Sequence, residues 1–534
     1  MEAKNPEALR RTIKRAKKAI SSRDEYVQLW DNVREFTTPE RLLFVQRSHD
    51  DVYRNIYSST APRALRGLTN VVINGLMPPW TPWAMLSPAP HVQGPIREEL
   101  RKALDIPNKL LLLYMNLSNL HQESHLTISE LVNIGTGAIR VEPNRENKGL
   151  RFKNCSVNRL AVDEDSTGRI TSTYYTYKMP GWELRDRYPH ISEYADLAER
   201  IERDEDAEFE LWAMVVPEES GDGFDYWLTV DEKRDNLEPI VLAERRLATN
   251  PIKVTRWERQ PDSPYGVGVG TIMQHDVFTH NKFMEYALKA ALIDTLGIWT
   301  VKQDGYINEL TLEMMVGTLT PVSSNDKTNP TLARTGTSSD LNAARAIIGE
   351  LAASIKEGYY EDRFGDIGKT PMTATEVVQR SRMLLQKLGA PYILIENELL
   401  MPVISDAVDI LIEQRVLPKV ARVRPFGAVS VTFLSSLAQS QRVQDVDSLF
   451  QWATMAAQLA QVDPTAMSVM DVHKAVRYIA EQMGVPPSVL RTQQEAEAYQ
   501  QRMMEAIQAG QAAGGREAAR EEMQKQAEAQ GMAA

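Results

Sequence analysis

His121-Gln122-Glu123-Ser124-His125 places two imidazoles four residues apart on one helical face, the spacing of a zinc-binding pair. The metalloprotease pattern needs glutamate directly after the first histidine, where its carboxylate activates the metal-bound water, and here that position is Gln122. Asp163-Glu164-Asp165-Ser166-Thr167-Gly168 resembles the start of a calcium loop, yet the place of the closing bidentate glutamate is taken by Tyr174, so a solvated hairpin turn is the better reading. Gly266, Gly268 and Gly270 alternate, but a dinucleotide fingerprint needs glycine at 271, which is Thr271, and no regular βαβ alternation surrounds it. A flexible lead into a helix accounts for them. His275 and His280 are five apart, a poor helical chelating spacing, and read as surface or packing residues. The single cysteine, Cys155, allows no internal disulfide, and Asn154 and Ser156 offer no cation to activate its thiolate. No Walker-type lysine motif and no nucleophile elbow occur. The expectation is a protein with no catalytic residues, no metal and no cofactor. A metal-dependent hydrolase built on Asp163 to Asp165 is the enzyme alternative, and it needs further ligands from elsewhere in the fold.

The elements that position these residues change character along the chain. A helical pattern from about 6 to 36 ends at Thr37, Thr38 and Pro39, and a second helix covers Ala61 to Leu76. Residues 97 to 134 read as one helical stretch. Gly67 to Ile96 holds no charged residue, but Pro78, Pro79, Pro82, Pro88, Pro90 and Pro95 break any span, so it reads as a buried, irregular segment with no membrane crossing. Trp80 and Trp83 read as packing anchors. Strands follow at 138–141, 150–152, 159–163, 169–178, 208–216 and 224–230. Helical character returns at 270–295 and 340–359; in the second, Leu341, Ala344, Ile348, Leu351 and Ile355 make one apolar stripe. Between them lies a small α/β insert: strand-like 298–302, helix-like 307–316, strand-like 319–322, then a polar loop to Gly336. Thr373 and Glu376 form a capping box that starts a long helix through Leu388 to Leu417, kinked at Pro402. Residues 440–508 are mainly helical, and the Gln, Ala, Glu and Gly-rich stretch beyond Gly510 reads as frayed.

A chain of 534 residues exceeds one ordinary core, and 43% hydrophobic with 25% charged residues is the composition of a soluble folded protein. The N-terminal cations Arg10, Arg11, Lys14, Arg15, Lys17 and Lys18 are followed by no apolar run, so no secretory signal is expected here and an intracellular site of synthesis is. A net charge of −11 excludes a nucleic-acid binder over its whole surface, while leaving room for a protein that DNA passes without sticking.

The order helix, α/β insert, helix, loop, long kinked helix resembles that of portal subunits, the head-to-tail connectors of short-tailed bacteriophages. Local patterns similar to that family occur in the same order. They are Leu76-Met77-Pro78-Pro79-Trp80-Thr81-Pro82-Trp83, Gly135-Thr136-Gly137-Ala138, Val162 to Arg169, Arg256-Trp257-Glu258-Arg259 with Ser263-Pro264-Tyr265-Gly266, and Glu398-Leu399-Leu400-Met401-Pro402. The Gly-Val-Gly-Val-Gly run after Tyr265 departs from the more polar or basic residue expected there.

The resemblance implies an α+β portal fold, mainly helical with a β-rich wing. Residues 1–266 would be the N-terminal wing, 267–296 a stem helix, 297–337 the clip, 338–360 the second stem helix and 361–372 the tunnel loop. A long kinked wing helix with return strands would follow at 373–436, then a helical crown at 437–508 and a low-complexity tail at 509–534. It implies a homo-oligomeric ring of about twelve copies at the capsid vertex of the virion, assembled in the host cytoplasm. Double-stranded DNA passes the channel, and the terminase motor, a tail adaptor, and the major capsid and scaffolding proteins are partners. Arg363 and Lys369 of the tunnel loop, with Lys356, Arg380 and Arg382, are the candidate points near DNA. Asp304, Glu309 and Glu313 are the candidate docking charges of the clip. The non-enzyme alternative is another virion assembly protein, a scaffold or internal core protein, which would lack an insert flanked by two helices.

Overall fold

The computed structural model describes residues 5–40, 55–79, 82–144, 148–218, 221, 223–230, 240–296, 298–301, 332–335, 341–361, 388–424, 427–434, 449–456, 458, 475–476 and 478–480. In chain order the principal elements are α1 (Pro6–Thr37), α2 (Thr60–Leu76), β1 (Ala84–Pro88), α3 (Pro95–Leu117), α4 (Leu120–Ile134), β2 (Thr136–Pro143), β3 (Leu150–Asn154), β4 (Leu160–Glu164) and β5 (Ile170–Pro180). There follow α5 (Gly181–Arg187), α6 (Ala195–Arg203), β6 (Glu208–Pro217), β7 (Phe224–Val230), β8 (Ile240–Leu247), β9 (Ile252–Arg256), β10 (Glu258–Arg259), β11 (Gly266–Val267), α7 (Val269–Ile272) and α8 (Gln274–Leu296). The last are β12 (Ile298–Val301), β13 (Leu332–Thr335), α9 (Leu341–Gly358), α10 (Gly389–Ile395), a π-turn (Glu396–Leu400), α11 (Met401–Glu413) and β14 (Val429–Phe433). The chain is a mixed helix and sheet protein in two compact units, one of residues 1–81 and 114–414, the other of 82–113 and 415–534.

In the first unit α1 begins where Asn5 accepts the Ala8 amide at 3.1 Å and Pro6 supplies a preset φ in the first turn. One side of α1 is apolar: Leu9, Ala16 and Ala19 pack on Ala161, Tyr174, Met214 and Trp227 of an antiparallel sheet in the order β4-β5-β6-β7-β8. Further along, Trp30 and Val33 join Ile134, Tyr175 and Tyr265 in a second cluster, where Trp30 meets Tyr265 edge-on with centroids 5.1 Å apart. The three-stranded sheet β3-β2-β9 closes this layer, and β8 and β9 are strands that the sequence pattern did not single out.

The helical reading of 97–134 resolves into two helices. Asn119 stands at the break, and both ends of its amide are spent on β3, donating to the Phe152 carbonyl at 2.8 Å and accepting the Phe152 amide at 2.9 Å. The segment expected to be irregular contains a strand instead: in the second unit β1 pairs antiparallel with β14, from Ala84 opposite Phe433 to Pro88 opposite Val429. Alternating burial along β1 explains why no charge is needed there. The predicted polar loop before Gly336 contains β13, the antiparallel partner of β12. The long helix ends at Glu413 rather than Leu417, because Arg415 takes a left-handed conformation with φ of 61°. The helix-like 307–316, the strand-like 319–322 and the capping box at Thr373 lie outside the described residues, as do all of 481–534.

Candidate functional site: a helix pair and the knot at its base

α8 and α9 run antiparallel, continued at one end by the ribbon β12–β13, in which Ile298 faces Thr335 and Val301 faces Leu332. At the opposite end the pair is fastened. Ser354 donates to Asp276 at 2.8 Å, and a Cβ on Gly358 would lie 2.4 Å from the Met273 sulfur, so this glycine lets the end of α9 touch the start of α8. Asn281 pins the chain before α2: its carbonyl oxygen accepts the amides of Tyr57 at 2.8 Å and Ser58 at 3.2 Å, and its amide donates to the Asn55 carbonyl at 2.8 Å. Val277, His280, Ile355 and Tyr359 are buried there, and burial lowers the His280 pKa. Further along, Tyr286, Leu288 and Leu292 are 61%, 52% and 59% exposed. Four members of the predicted α9 stripe face inward: Ala344, Ile348 and Leu351 are half-buried and Ile355 is fully buried, while Ile347 remains exposed.

Beneath the pair, three segments touch through their backbones. Gly135, at φ 91°, closes α4 and accepts the Trp257 amide at 2.9 Å. The Thr136 hydroxyl accepts the Gly266 amide at 3.0 Å. A Cβ on Gly266 would sit 2.3 Å from the Gly135 oxygen, one on Gly268 2.5 Å from the Gly135 nitrogen, and one on Gly270 2.2 Å from Asn133 Oδ1. The alternating glycines therefore permit close backbone approach, and the flexible lead expected of them is replaced by the tightest contact in the region.

Arg256, at the end of β9, binds two other segments at once, the π-turn and the β4–β5 hairpin. Its backbone amide donates to Glu398 Oε2 at 3.0 Å and its guanidinium to Glu398 Oε1 at 2.5 Å, to Glu164 at 3.3 Å and to the Gly168 carbonyl at 3.0 Å. Glu398 lies in the π-turn because Pro402, four residues on, has no N–H and its ring would strike that turn's carbonyl; widening the helix removes the conflict. The kink expected at Pro402 thus takes the form of a π-turn. One helical segment later, Asp406 binds Lys253 at 2.7 Å and Thr249 at 2.9 Å. Desolvation raises the Asp406 pKa, with Lys253 pulling the other way. Elsewhere in the unit Arg34 and Glu130 pair at 3.1 Å with almost no exposure, and Ser156 donates to the same carboxylate oxygen.

The residues tested for catalysis are dispersed into structural bonds. Asp165 accepts from the Thr167 amide and hydroxyl and from the Arg169 amide, Glu164 faces Arg256, and Asp163 accepts the Tyr174 hydroxyl. The would-be calcium loop is a hairpin turn, and the Tyr174 hydroxyl donates to Asp163 at 3.0 Å. Among the described residues no three His, Cys, Asp or Glu side chains converge as a metal set. The His121 pKa is lowered by burial, and the buried Cys155 thiol is pushed up to about 12. Lys356 is exposed on α9. Arg363, Lys369, Arg380, Arg382, Asp304, Glu309 and Glu313 lie outside the described residues. Arg256, Glu398, Asn281 and Asp406 were not singled out for these roles. Their signal is a charged or amide side chain inside an apolar run, as in Ile252-Lys253-Val254-Thr255-Arg256-Trp257.

The profile of the family described as "Bacteriophage head to tail connecting protein" matches residues 9–490. The chain is 22% identical over 494 residues to a "Probable portal protein" of Bordetella phage BPP-1, covering 88% of this chain and 86% of that one. It is also 22% identical over 538 residues to a "Portal protein" of Salmonella phage epsilon15, covering 94% and 92%. Among solved structures, the neck of an empty gene transfer agent particle aligns at 13% identity and a TM-score of 0.35 over 76% of this chain and 91% of that one.

Proposed function

The chain belongs to the bacteriophage head to tail connecting protein family, and from that premise we propose that it is a structural portal subunit at the capsid vertex of a phage particle. It performs no chemistry of its own. About twelve copies close into a ring around a channel through which duplex DNA enters and leaves. α8 and α9 are the stem, β12–β13 the base of a clip directed to the terminase motor and later to a tail adaptor, and the α10 to α11 segment a wing helix following the tunnel loop. Capsid and scaffolding proteins contact the rest of the ring, which assembles in the host cytoplasm.

The observation that carries this reading is the helix pair itself: fastened at its base by Asn281, Ser354 and Gly358, and apolar yet exposed at Tyr286, Leu288 and Leu292. A lone chain leaves that surface wet, whereas a neighbouring copy in a closed ring covers it. On this reading Lys356, with Arg363, Lys369, Arg380 and Arg382, would supply a sparse set of cations to DNA, and Asp304, Glu309 and Glu313 the docking charges of the clip. Sparse cations on an acidic chain favour sliding, because each added phosphate contact strengthens binding through counterion release.

Electron microscopy with mass determination on the purified full-length protein tests the proposal. Rings with a central hole and a mass near twelve copies are expected. A monodisperse monomer or dimer across salt conditions, with the helix pair folded, overturns it.

A further inference from the structure

Against a chain charge of −11, the stretch from Asn5 to Ser22 carries six cations, Arg10, Arg11, Lys14, Arg15, Lys17 and Lys18, and one carboxylate, Glu7. The structure explains how this charge is displayed. Leu9, Thr12, Ala16 and Ala19 are buried, fixing one side of α1 on the sheet. At 3.6 residues per turn the six cations then fall within an arc of roughly 160° on the other side, over about 12 Å of helix. Arg11 bonds Glu7 and Arg15 bonds Asp163. Lys14, Lys17 and Lys18 are exposed and make no ion pair with the described residues.

We propose that this face of α1 is a second nucleic-acid surface, separate from the channel, that binds the phosphate backbone of duplex DNA without reading its sequence. Charge complementarity selects a polyanion. The choice of DNA over an acidic protein or a membrane rests on what the face lacks, since no large apolar side chain is exposed between Pro6 and Ser22. A protein interface needs a buried apolar or aromatic anchor at its centre, and a membrane-surface helix needs an apolar side free to insert, whereas that side of α1 is already occupied by the sheet. Phosphates need neither. Naming the polyanion as DNA rests on the portal reading; the surface itself does not.

The test is fluorescence anisotropy of the full-length protein with a labelled, mixed-sequence duplex of about thirty base pairs over a salt series. Replacing Lys14→Gln, Lys17→Gln and Lys18→Gln together should weaken binding about tenfold or more near ~0.1 M salt. It should also flatten the logarithmic salt slope by about 2.7, the value for three lost phosphate contacts. Glu7→Gln should act in the opposite direction and tighten binding. An unchanged slope in the triple variant, with circular dichroism showing α1 intact, overturns the proposal. Stronger binding of poly-glutamate than of DNA at equal charge overturns the assignment to nucleic acid. Mass measured on the same samples separates the two readings: a protein that forms no ring yet shows this lysine dependence keeps the surface and loses the portal, and rings without the dependence do the reverse.

Discussion

The knot around Arg256 and the free half of the α8–α9 pair are built from one chain by opposite rules. In the knot the charged groups find their partners within the subunit: Arg256 with Glu398, Glu164 and the Gly168 carbonyl, and Lys253 with Asp406, while glycines let the backbones touch. In the free half Tyr286, Leu288 and Leu292 are large side chains facing solvent, between the fastened start of α8 and the ribbon β12–β13. Buried ion pairs and close backbone contacts are concentrated in the knot, and apolar surface is left exposed on the helix pair, where the ring proposed above would place a second copy. Stability and assembly should therefore be separable by mutation.

The largest effect is expected from Arg256→Leu. It leaves Glu398 and Glu164 facing a partly buried void without their cation, and breaking such a pair costs about 3 to 5 kcal/mol. Denaturant unfolding of the unassembled subunit should show that loss; a cost near zero would mean that the ion pairs do not hold the three segments together. Gly268→Ala should come next, at about 1 to 3 kcal/mol, because its methyl would press on the Gly135 nitrogen and the Asn133 and Val132 carbonyls, all of them backbone. Gly349→Ala, in open space on α9, is the internal control, and a helix-propensity gain there is expected. If both alanines behave alike, close approach is not what the glycine at 268 supplies.

Leu292→Ser with Tyr286→Ser should change subunit stability by less than about 0.5 kcal/mol, as exposed positions do, while abolishing or sharply weakening ring assembly in mass measurements. Destabilisation comparable to Arg256→Leu would erase the contrast between the two regions. Unimpaired rings would move the subunit interface elsewhere.

Much of this contrast is legible in the amino-acid sequence, and the part that is not has a physical pattern. Helix limits marked by local signals, the stop of α1 at Thr37 to Pro39 and the 3–4 spacing of α9, fall where expected. So do the six strands expected between 138 and 230. What depends on distant partners does not: β1 needs β14 some 345 positions away to become a strand, and Asn119 breaks a continuous helical pattern only because β3 offers its backbone. The family-like motifs read as separate signatures along the chain. In space Gly135, Arg256 and Gly266 meet in one contact, and Gly168 and Glu398 meet at Arg256, so their spacing encodes a junction that one sequence does not display.

Titration offers the finest contrast, between a carboxylate at the rim of the knot and one inside it. Asp165 is partly exposed at the hairpin tip, where the Thr167 hydroxyl first, then the Arg169 and Thr167 amides, hold its pKa below the usual aspartate value. Its folded pKa lies below its unfolded one, so its contribution is fully present above about pH 4 and is lost as pH falls through the lowered value. Asp406 has the opposite sign: burial raises its folded pKa, so its linked contribution is complete below the unfolded value and is lost as pH rises through the folded one. The melting-temperature advantage of wild type over Asp165→Asn should hold near neutral pH and close below about pH 4. A gap independent of pH would show that the Asp165 side chain shapes the turn without its charge, and that the hairpin clasped by Arg256 is set by backbone geometry alone.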